Sequence, residues 1–350
     1  KKKPLQDYLS QLKHIVYHNK LGTQSERSER VKTIASLIVK NLNQTKLLDA
    51  VLLASDLSKA DLSTHMVGEF PELQGVMGRY YALNEKISEE VAFAIEDHYK
   101  PRFSGDTLPR SSVGDIVSIA DKIETLIGLF SIGEKPTGDK DPFALRRQVI
   151  GIIRILTEKN IGLNLNTTIS DCIKATNLAE SKDLNTFIYD RISNFFKDQG
   201  YGALDIEAVL SIDSGLICEI PKRLNAIREF SALPESKDLA SANKRVGNIL
   251  KKADLKTTLK VDPTLLKDIA EINLYKTLDL VDADARKEYL ANNYSGSLKL
   301  LCKLKNPIDQ FFNDVMVNVE NESLKMNRLA LLEKLYSAMN LVADLSKLSS

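Results

Sequence analysis

Residues 31–42 read VKTIASLIVKNL, and their apolar positions recur at the spacing of one helix face. Val31, Ile34, Leu37 and Ile38 lie three or four positions apart, so a helix places them all on one side. The same period recurs along most of the chain, whereas the alternation typical of a half-buried strand is scarce. We therefore predict an all-α fold.

Capping residues predict where several of the other helices begin. Ser88 precedes two acids and an apolar run in ISEEVAFAIEDHYK, which is the pattern of an N-cap followed by a first helical turn. Asp141 and Pro142 open DPFALRRQVIGIIRIL, where a proline at the first helical position loses no useful hydrogen bond. The same cap-and-proline device recurs at two later places: Asp262–Pro263 and Asn306–Pro307.

Residues 66–82, MVGEFPELQGVMGRYYA, interrupt this helical pattern. The residue before Pro71 is driven out of the α region, so we expect one helix to end there and a second to run from Pro71. Gly75 and Gly78 then lie about one turn apart on one side, where they let another backbone approach closely. We predict tight packing of this stretch against the helix that carries Ala60–Asp61.

Length and composition predict two or three soluble domains. The chain has 350 residues, of which 43% are hydrophobic and 27% charged, the balance of a globular protein. We divide it into residues 1–160, a less distinctive middle region 161–235, and a second helical set 236–350. The formal net charge of +1 argues against a strongly basic nucleic-acid binder, although it allows a local basic face.

Cysteine usage and hydropathy indicate the compartment. The three cysteines are far apart and form neither a CxxC pair nor a disulfide framework, which favours a reducing, cytoplasmic location. No apolar run has the length of a membrane span and no signal peptide is visible, so we expect no membrane association. The chain opens KKKPLQDYL without methionine, and we interpret it as a piece of a longer protein.

His18, Asp61 and Asp121 are the candidates for a metal site. A histidine followed by two distant aspartates resembles the skeleton of an HD-domain metal phosphohydrolase. That family needs adjacent His and Asp at the second position, because imidazole and carboxylate together hold the metal that activates water. Ala60 stands in the place of that histidine, so we expect an HD-like scaffold with a degenerate metal site. His98 is predicted to serve the structure through hydrogen bonds.

A basic stretch near residue 250 is the first candidate for RNA binding. Seven basic and two acidic residues between positions 237 and 260 give a local net charge of +5. Lys244, Arg245, Lys251 and Lys252 are the predicted contacts, since lysines at helical spacing suit a phosphate backbone. An ordinary solvated lysine face is the alternative.

Arginines supply the remaining candidates. Arg146, Arg147 and Arg154 lie on one predicted helix, and their guanidinium groups match phosphates. Pairing with acidic residues of the same domain is equally compatible with the pattern. Arg328 lies among apolar neighbours in KMNRLALL, so RNA binding and a partly buried structural role both stay open.

Long runs in the first half of the chain resemble the β subunit of the bacterial heterotetrameric glycyl-tRNA synthetases. They are KADLSTHMVGEFPELQGVMGRYYA (59–82), VAFAIEDHYKPRFSGDTLP (91–109) and ADKIETLIGLFSIGEKPTGDKDPFALRRQVIGIIRIL (120–156). ANKRVGNILKKAD (242–254) and FFNDVMVNVENESLKMNRLALL (311–332) continue the resemblance in the right order. Only the middle region matches weakly.

The resemblance implies an HD-like helical domain followed by a helical linker region and a terminal domain similar to the anticodon-binding domain of arginyl-tRNA synthetase. In that family the α subunit holds the class II active site with its ATP and magnesium, and the β subunit recognises tRNA. No catalytic residue or cofactor is then expected in this chain, which would be inactive alone. Its partners would be tRNA-Gly, the α subunit and a second β subunit of an α2β2 complex.

Two other functions stay open on the sequence. An active HD-type phosphohydrolase would hold a metal near His18, Asp61 and Asp121. A structural module that docks the α subunit would use Gly68, Gly75 and Gly78 for close helix contacts.

Overall fold

The chain folds into α-helices and short 3₁₀ helices in the computed structural model, which describes residues 3–212, 214–253 and 260–349. It divides into two compact units: residues 1–195 with 214–218, and residues 196–213 with 219–350. The predicted all-α class is confirmed. The middle region 161–235 is shared between the two units, and the three-part division stays a prediction.

The first unit contains α1 to α8 and α9 up to residue 195. Their bounds are α1 Gln24–Asn41, α2 Leu48–Leu57, α3 His65–Glu69, α4 Val76–Asn84, α5 Glu89–Asp97, α6 Ser112–Ser131, α7 Leu145–Glu158, α8 Leu165–Thr176 and α9 Lys182–Asp198. Helix α6 is the centre of this unit, because α1, α2, α5 and α7 all pack against it. Every residue from Val113 to Phe130 is buried, including charged ones.

Within the described residues, strand structure is confined to one antiparallel pair and two isolated bridges. The strands are β1 Val16–His18 and β2 Gly22–Thr23. The pair is too short to show the period-2 alternation that marks a strand in a sequence. It leads directly into α1, whose first turn is closed by a capping box between Thr23 and Glu26.

The stretch 66–82 contains the predicted break. Helix α3 ends immediately before Phe70 and a 3₁₀ turn, Pro71–Leu73, follows. The second helix is α4, which begins at Val76, so the prediction that it runs from Pro71 is wrong. The reason is Gly75, whose φ of 79° is incompatible with a right-handed helix and makes this residue the N-cap.

Helix α7 also begins later than its sequence pattern predicts. Its first residue is Leu145, because Ala144 adopts a left-handed conformation with φ 55°. Asp141 nevertheless caps the helix: its carboxylate accepts the backbone N–H groups of Leu145 and Arg146 at 2.8 and 3.0 Å. The cap residue was correctly predicted and the first turn was not.

The second unit contains seven further helices in its described part. Their bounds are α10 Ala203–Leu210, α11 Ile220–Ser231, α12 Ser236–Ala253, α13 Ile269–Leu290, α14 Tyr294–Leu301, α15 Lys305–Asp314 and α16 Glu322–Met339. Asp262 caps only a three-residue 3₁₀ turn, and α15 already begins before Asn306, so neither proline opens an α-helix as predicted. Among the described helices, no segment combines the length and the hydropathy of a membrane span.

Helix α12 packs against α16 and the C-terminal 3₁₀ turn Leu345–Leu348. Leu239, Ala240, Asn243 and Val246 form its buried side. The polar side of α12 therefore faces solvent.

Candidate functional site

The exposed side of α12 carries the basic residues predicted from the sequence. Lys244, Arg245, Lys251 and Lys252 are all exposed. Among the ion pairs of the described residues, none joins these four cations to a carboxylate. Asp254 and Lys256, which belong to the same basic stretch, lie outside the described residues. The four charges are therefore available to an external anion.

Local contacts orient two of these cations. The Arg245 guanidinium lies over the Phe312 ring, with 4.0 Å between the guanidinium carbon and the ring centroid. Stacking of this kind leaves the N–H groups at the edge of the guanidinium free to donate. The Lys244 ammonium donates to the Ser349 carbonyl at 3.3 Å.

A groove runs between α12 on one side and α16 with the C-terminal 3₁₀ turn on the other. Lys244, Gly247 and Lys251 line one wall, and Tyr336 and Lys347 line the other. A Cβ at Gly247 would lie 3.1 Å from the Tyr336 ring, so glycine at this position allows the aromatic ring to approach the helix backbone. Sequence reasoning missed Tyr336 and Lys347, because LEKLYSAMN reads as an ordinary helix and Lys347 is isolated near the C-terminus.

The three arginines of α7 are in different environments. Arg146 donates to the Gly138 carbonyl, and Arg154 pairs with Glu158 at 2.7 Å. Arg147 is exposed, and no partner for it is found among the described residues. One guanidinium of the predicted three is thus free in this conformation.

Arg328 is buried and fully engaged inside the second unit. Its guanidinium donates to Glu271, to Asp268 at 2.7 Å and to the Met316 carbonyl at 2.6 Å. It therefore links the start of α13, the loop after α15 and α16. The RNA contact predicted for Arg328 has no support in this arrangement, because only 5% of the residue is exposed.

The first unit also contains a largely buried group of charged side chains, of which the sequence analysis singled out only Asp121, as a candidate metal ligand. Glu124 accepts from Arg27 and Arg30 at 2.9 and 2.8 Å, while Asp121 pairs with Arg27 and Lys59 at 3.0 and 3.1 Å. We call these five residues the buried ion cluster. Both carboxylates project from the buried helix α6, and the arginines come from α1.

Lys59 also contacts His98, which follows α5. The Lys59 ammonium lies 2.7 Å from His98 Nε2, and His98 Nδ1 lies 2.7 Å from the Ile95 carbonyl. Since Nδ1–H donates to that carbonyl, Nε2 is the acceptor for the ammonium and the imidazole is neutral. The predicted structural role of His98 as a hydrogen-bonded residue is confirmed.

Burial and neighbouring charges set the pKa values of Lys59, His98 and Asp121. It lowers the pKa of Lys59 to about 8, although the Asp121 carboxylate acts in the opposite direction, so Lys59 is an ammonium at neutral pH. Burial and the neighbouring ammonium lower the pKa of His98 well below its usual value. The Asp121 carboxyl has its pKa held far down by Arg27 and Lys59, against the opposing effect of burial.

Asp61 and His18, two of the residues predicted for a degenerate metal site, accept hydrogen bonds from backbone N–H groups. Asp61 Oδ2 accepts the backbone N–H groups of Gly75 and Gly78 at 2.6 and 3.0 Å, so this carboxylate caps α4. His18 Nδ1 accepts from the Lys20 backbone. Within the described part of the chain, no three His, Cys, Asp or Glu side chains are grouped to hold a metal ion.

The predicted close approach at Gly78 is confirmed. A Cβ at this position would lie 2.6 Å from an Ile95 methyl group and 3.2 Å from Asp61 Oδ2. Gly68 has no atom within 4 Å of its Cβ position, so close packing does not explain that glycine. Arg79, next to Gly78, pairs with Glu96 at 2.7 Å.

Comparison with known proteins shows the family. The family model described as "Glycyl-tRNA synthetase beta subunit" matches residues 1–211, more than half of the chain. The chain belongs to the glycyl-tRNA synthetase beta-subunit family. A second model, "DALR anticodon binding domain", matches residues 239–345 and so includes most of the groove lining, with Lys347 just beyond it. The resemblance stated from the sequence motifs is confirmed.

Curated relatives named glycine–tRNA ligase beta subunit match over the whole chain. The protein of Methylobacillus flagellatus is 52% identical, that of Delftia acidovorans 50% and that of Nitrosomonas europaea 49%. The chain spans about half of the length of these relatives, 50–52%. The family match extends through the weakly recognised region up to residue 211.

Proposed function

We propose that this β-subunit chain is the tRNA-binding part of a glycine–tRNA ligase and that the basic face of α12 is its main contact with tRNA-Gly. The observation that carries this proposal is the alignment of four exposed cations, without carboxylate partners among the described residues, inside the DALR anticodon-binding match. Phosphates dominate the affinity of proteins for nucleic acids, and such cations need no prior ion pair to be broken.

The mechanism that we propose is positioning. Lys244, Lys251 and Lys252 would contact the backbone, while the Arg245 guanidinium and the Tyr336 ring offer planar groups to splayed bases of the anticodon region. Holding tRNA in this way accelerates aminoacylation through orientation of its 3′ end rather than through acid–base chemistry in this chain. Arg147 of α7 would add one phosphate contact in the first unit.

The partners follow from the subunit name that the relatives carry. We propose that the complete protein assembles with an α subunit, where ATP, glycine and magnesium would bind, and with a second β subunit. A cytoplasmic location and inactivity of this chain alone belong to the same proposal. A phosphohydrolase activity is not favoured, because Asp61 caps α4 and Asp121 pairs with two cations.

Salt-dependent filter binding with tRNA-Gly and non-cognate tRNAs tests the proposal. Lys244→Gln combined with Lys251→Gln should weaken binding and reduce the slope of log K against log salt by about 1.4–1.8, since each phosphate contact contributes about 0.7–0.9. Lys276→Gln combined with Lys287→Gln is the matched control, because these lysines are equally exposed on α13 of the same unit.

The control variant should leave the slope unchanged. Equal losses in both variants would show that only the overall charge matters and would contradict the assignment to α12. Absence of any preference for tRNA-Gly over other tRNAs would contradict the functional proposal itself.

A further inference from the structure

The ammonium group of Lys59, in the first unit, is contacted by an imidazole nitrogen, a carboxylate oxygen and an aromatic ring. The Lys59 ammonium lies 2.7 Å from His98 Nε2, 3.1 Å from Asp121 Oδ1 and 4.1 Å from the centre of the Tyr99 ring. Only 2% of Lys59 is exposed. An imidazole nitrogen and a carboxylate oxygen turned toward one cation form the type of ligand set that usually binds a metal ion.

A metal ion does not fit while Lys59 is present. Zinc or a similar ion needs its ligands at about 2.0–2.2 Å and at least three from the protein, whereas two side chains meet at this ammonium. Asp61, the remaining carboxylate nearby, is engaged with the N-terminus of α4. Arg27 lies 3.0 Å from the same Asp121 oxygen and adds a repelling positive charge.

We propose that the Lys59 ammonium is a built-in replacement for a metal ion and that its removal opens a binding site for a small organic ammonium ion. Lys59 precedes the 3₁₀ helix Ala60–Ser63, His98 directly follows α5 and Asp121 belongs to α6. The Lys59 ammonium, which is covalently part of the chain, thereby links three structural elements of the first unit. No added ion is needed to hold these elements together. This inference is independent of tRNA binding.

Thermal unfolding of the chain with Lys59 variants tests this proposal. Lys59→Ala keeps Cβ and removes an n-propylammonium group, so n-propylammonium chloride is the probe and 1-propanol is the neutral control. We expect the alkylammonium ion to raise the Tm of Lys59→Ala by about 3 °C or more, and 1-propanol to have no comparable effect. Lys59→Met fills the space without a charge, so it should be destabilised and insensitive to the probe.

A second experiment measures the effect of divalent metal ions on the Tm of the wild-type chain. The Tm of the wild-type chain should be unaffected by EDTA, Zn²⁺ or Mn²⁺, because the ligands are saturated by Lys59. A shift of the wild-type Tm with one equivalent of either ion would overturn the proposal, and so would a Lys59→Met variant as stable as the wild type.

Refolding covers the case in which Lys59→Ala is recovered only unfolded. The denatured variant is then diluted into buffer with n-propylammonium or with 1-propanol, and circular dichroism measures the helix regained. Recovery with the ammonium ion alone supports the proposal. Equal recovery with both compounds, or with neither, contradicts it.

Discussion

Charged side chains are concentrated in two regions whose surroundings are opposite. In the buried ion cluster of the first unit, Asp121 and Glu124 are surrounded by Arg27, Arg30 and Lys59 at 2.8–3.1 Å. On α12 of the second unit, four cations face solvent without a carboxylate partner in the described residues. One region satisfies its charges internally, and the other leaves them for an external ligand.

The difference follows from the cost of desolvation. An ion removed from water needs partners within the protein, because leaving one charge uncompensated costs several kcal/mol. A lysine in solvent keeps its hydration and needs no partner, so it can exchange small counterions for phosphates. Pairing thus separates structural charges from binding charges in this molecule, and four experiments examine that separation.

The largest effect is expected for Glu124→Ala. The substitution removes the fully buried carboxylate that Arg27 and Arg30 share, and Arg27 retains only Asp121 as a carboxylate partner. It should reduce the free energy of unfolding by about 3–5 kcal/mol, because the two guanidinium groups are only 11% and 16% exposed. Urea titration measures the loss. Glu158→Ala breaks the pair with Arg154, in which the carboxylate is 47% exposed rather than fully buried, and should cost less than about 1 kcal/mol. Equal costs would show that burial does not distinguish the two pairs.

Gly75→Leu should have the next largest effect. Its φ of 79° penalises any residue with a Cβ, and that atom would lie 2.8 Å from the Tyr99 ring beside the Lys59 ammonium. We expect a loss of about 2–4 kcal/mol from these two causes together. Gly68→Ala is the control, since nothing surrounds that position. A Gly75→Leu chain of unchanged thermal stability that no longer binds tRNA would place the site in the first unit.

Acid should weaken the first unit through His98. Its pKa in the folded state is well below 6.5, whereas the unfolded residue titrates near 6.5. Below that pH the unfolded state binds the extra proton, so stability falls as pH decreases, by at most about 1.4 kcal/mol per pH unit for one proton. Lys59 and Asp121 face His98 and keep their charge state between pH 6.5 and 5.5 in both states. Lys122 also faces His98, and burial lowers its pKa to about 7, so the folded state takes up part of a proton at Lys122 in this range and the residue adds to the slope in the same direction.

Urea midpoints at pH 6.5 and 5.5 measure this dependence. His98→Gln should remove the part of the slope that comes from this imidazole, whereas His65→Gln, a change at an exposed histidine of the same unit, should retain it. A slope unaltered by His98→Gln would assign the acid sensitivity to other groups.

The smallest change in stability is expected on α12. Lys251→Gln combined with Lys252→Gln should alter the free energy of unfolding by less than about 0.5 kcal/mol, because neither lysine has an ion-pair partner in the described chain to lose. Their position in the last turn of α12 favours positive charge only weakly. Affinity for tRNA should fall in the same variant. A marked loss of stability would show that the basic face of α12 contributes to folding, and would contradict its contrast with the buried ion cluster.

Local signals predicted much of the fold. Ser88 accepts from the Val91 backbone as a cap, and the helix break before Pro71 is present. These features depend on a few neighbouring residues, which is why the sequence reveals them. The starts of α4 and α7 were predicted wrongly because they depend on backbone conformations at Gly75 and Ala144 that the apolar period does not encode.

The candidate binding residues likewise divide into those that local sequence predicts and those that depend on distant contacts. The basic face of α12 was predictable, since helical spacing alone places Lys244 and Lys251 on one side and the apolar residues on another. The engagement of Arg328 with Glu271 and Asp268 was not, because these acids precede it by 57 and 60 positions in the chain.

The sequence by itself determined the all-α class, the family and the solvent-exposed basic stretch, because each depends on local order along the chain. Only the tertiary structure decided that α6 is buried with its charges and that Lys59 meets His98 across 39 positions. From sequence alone, charged residues in a helix are predicted to be exposed. Their burial becomes apparent only when the packing of other helices around them is known. Pairing then depends on which distant side chains the fold brings into contact.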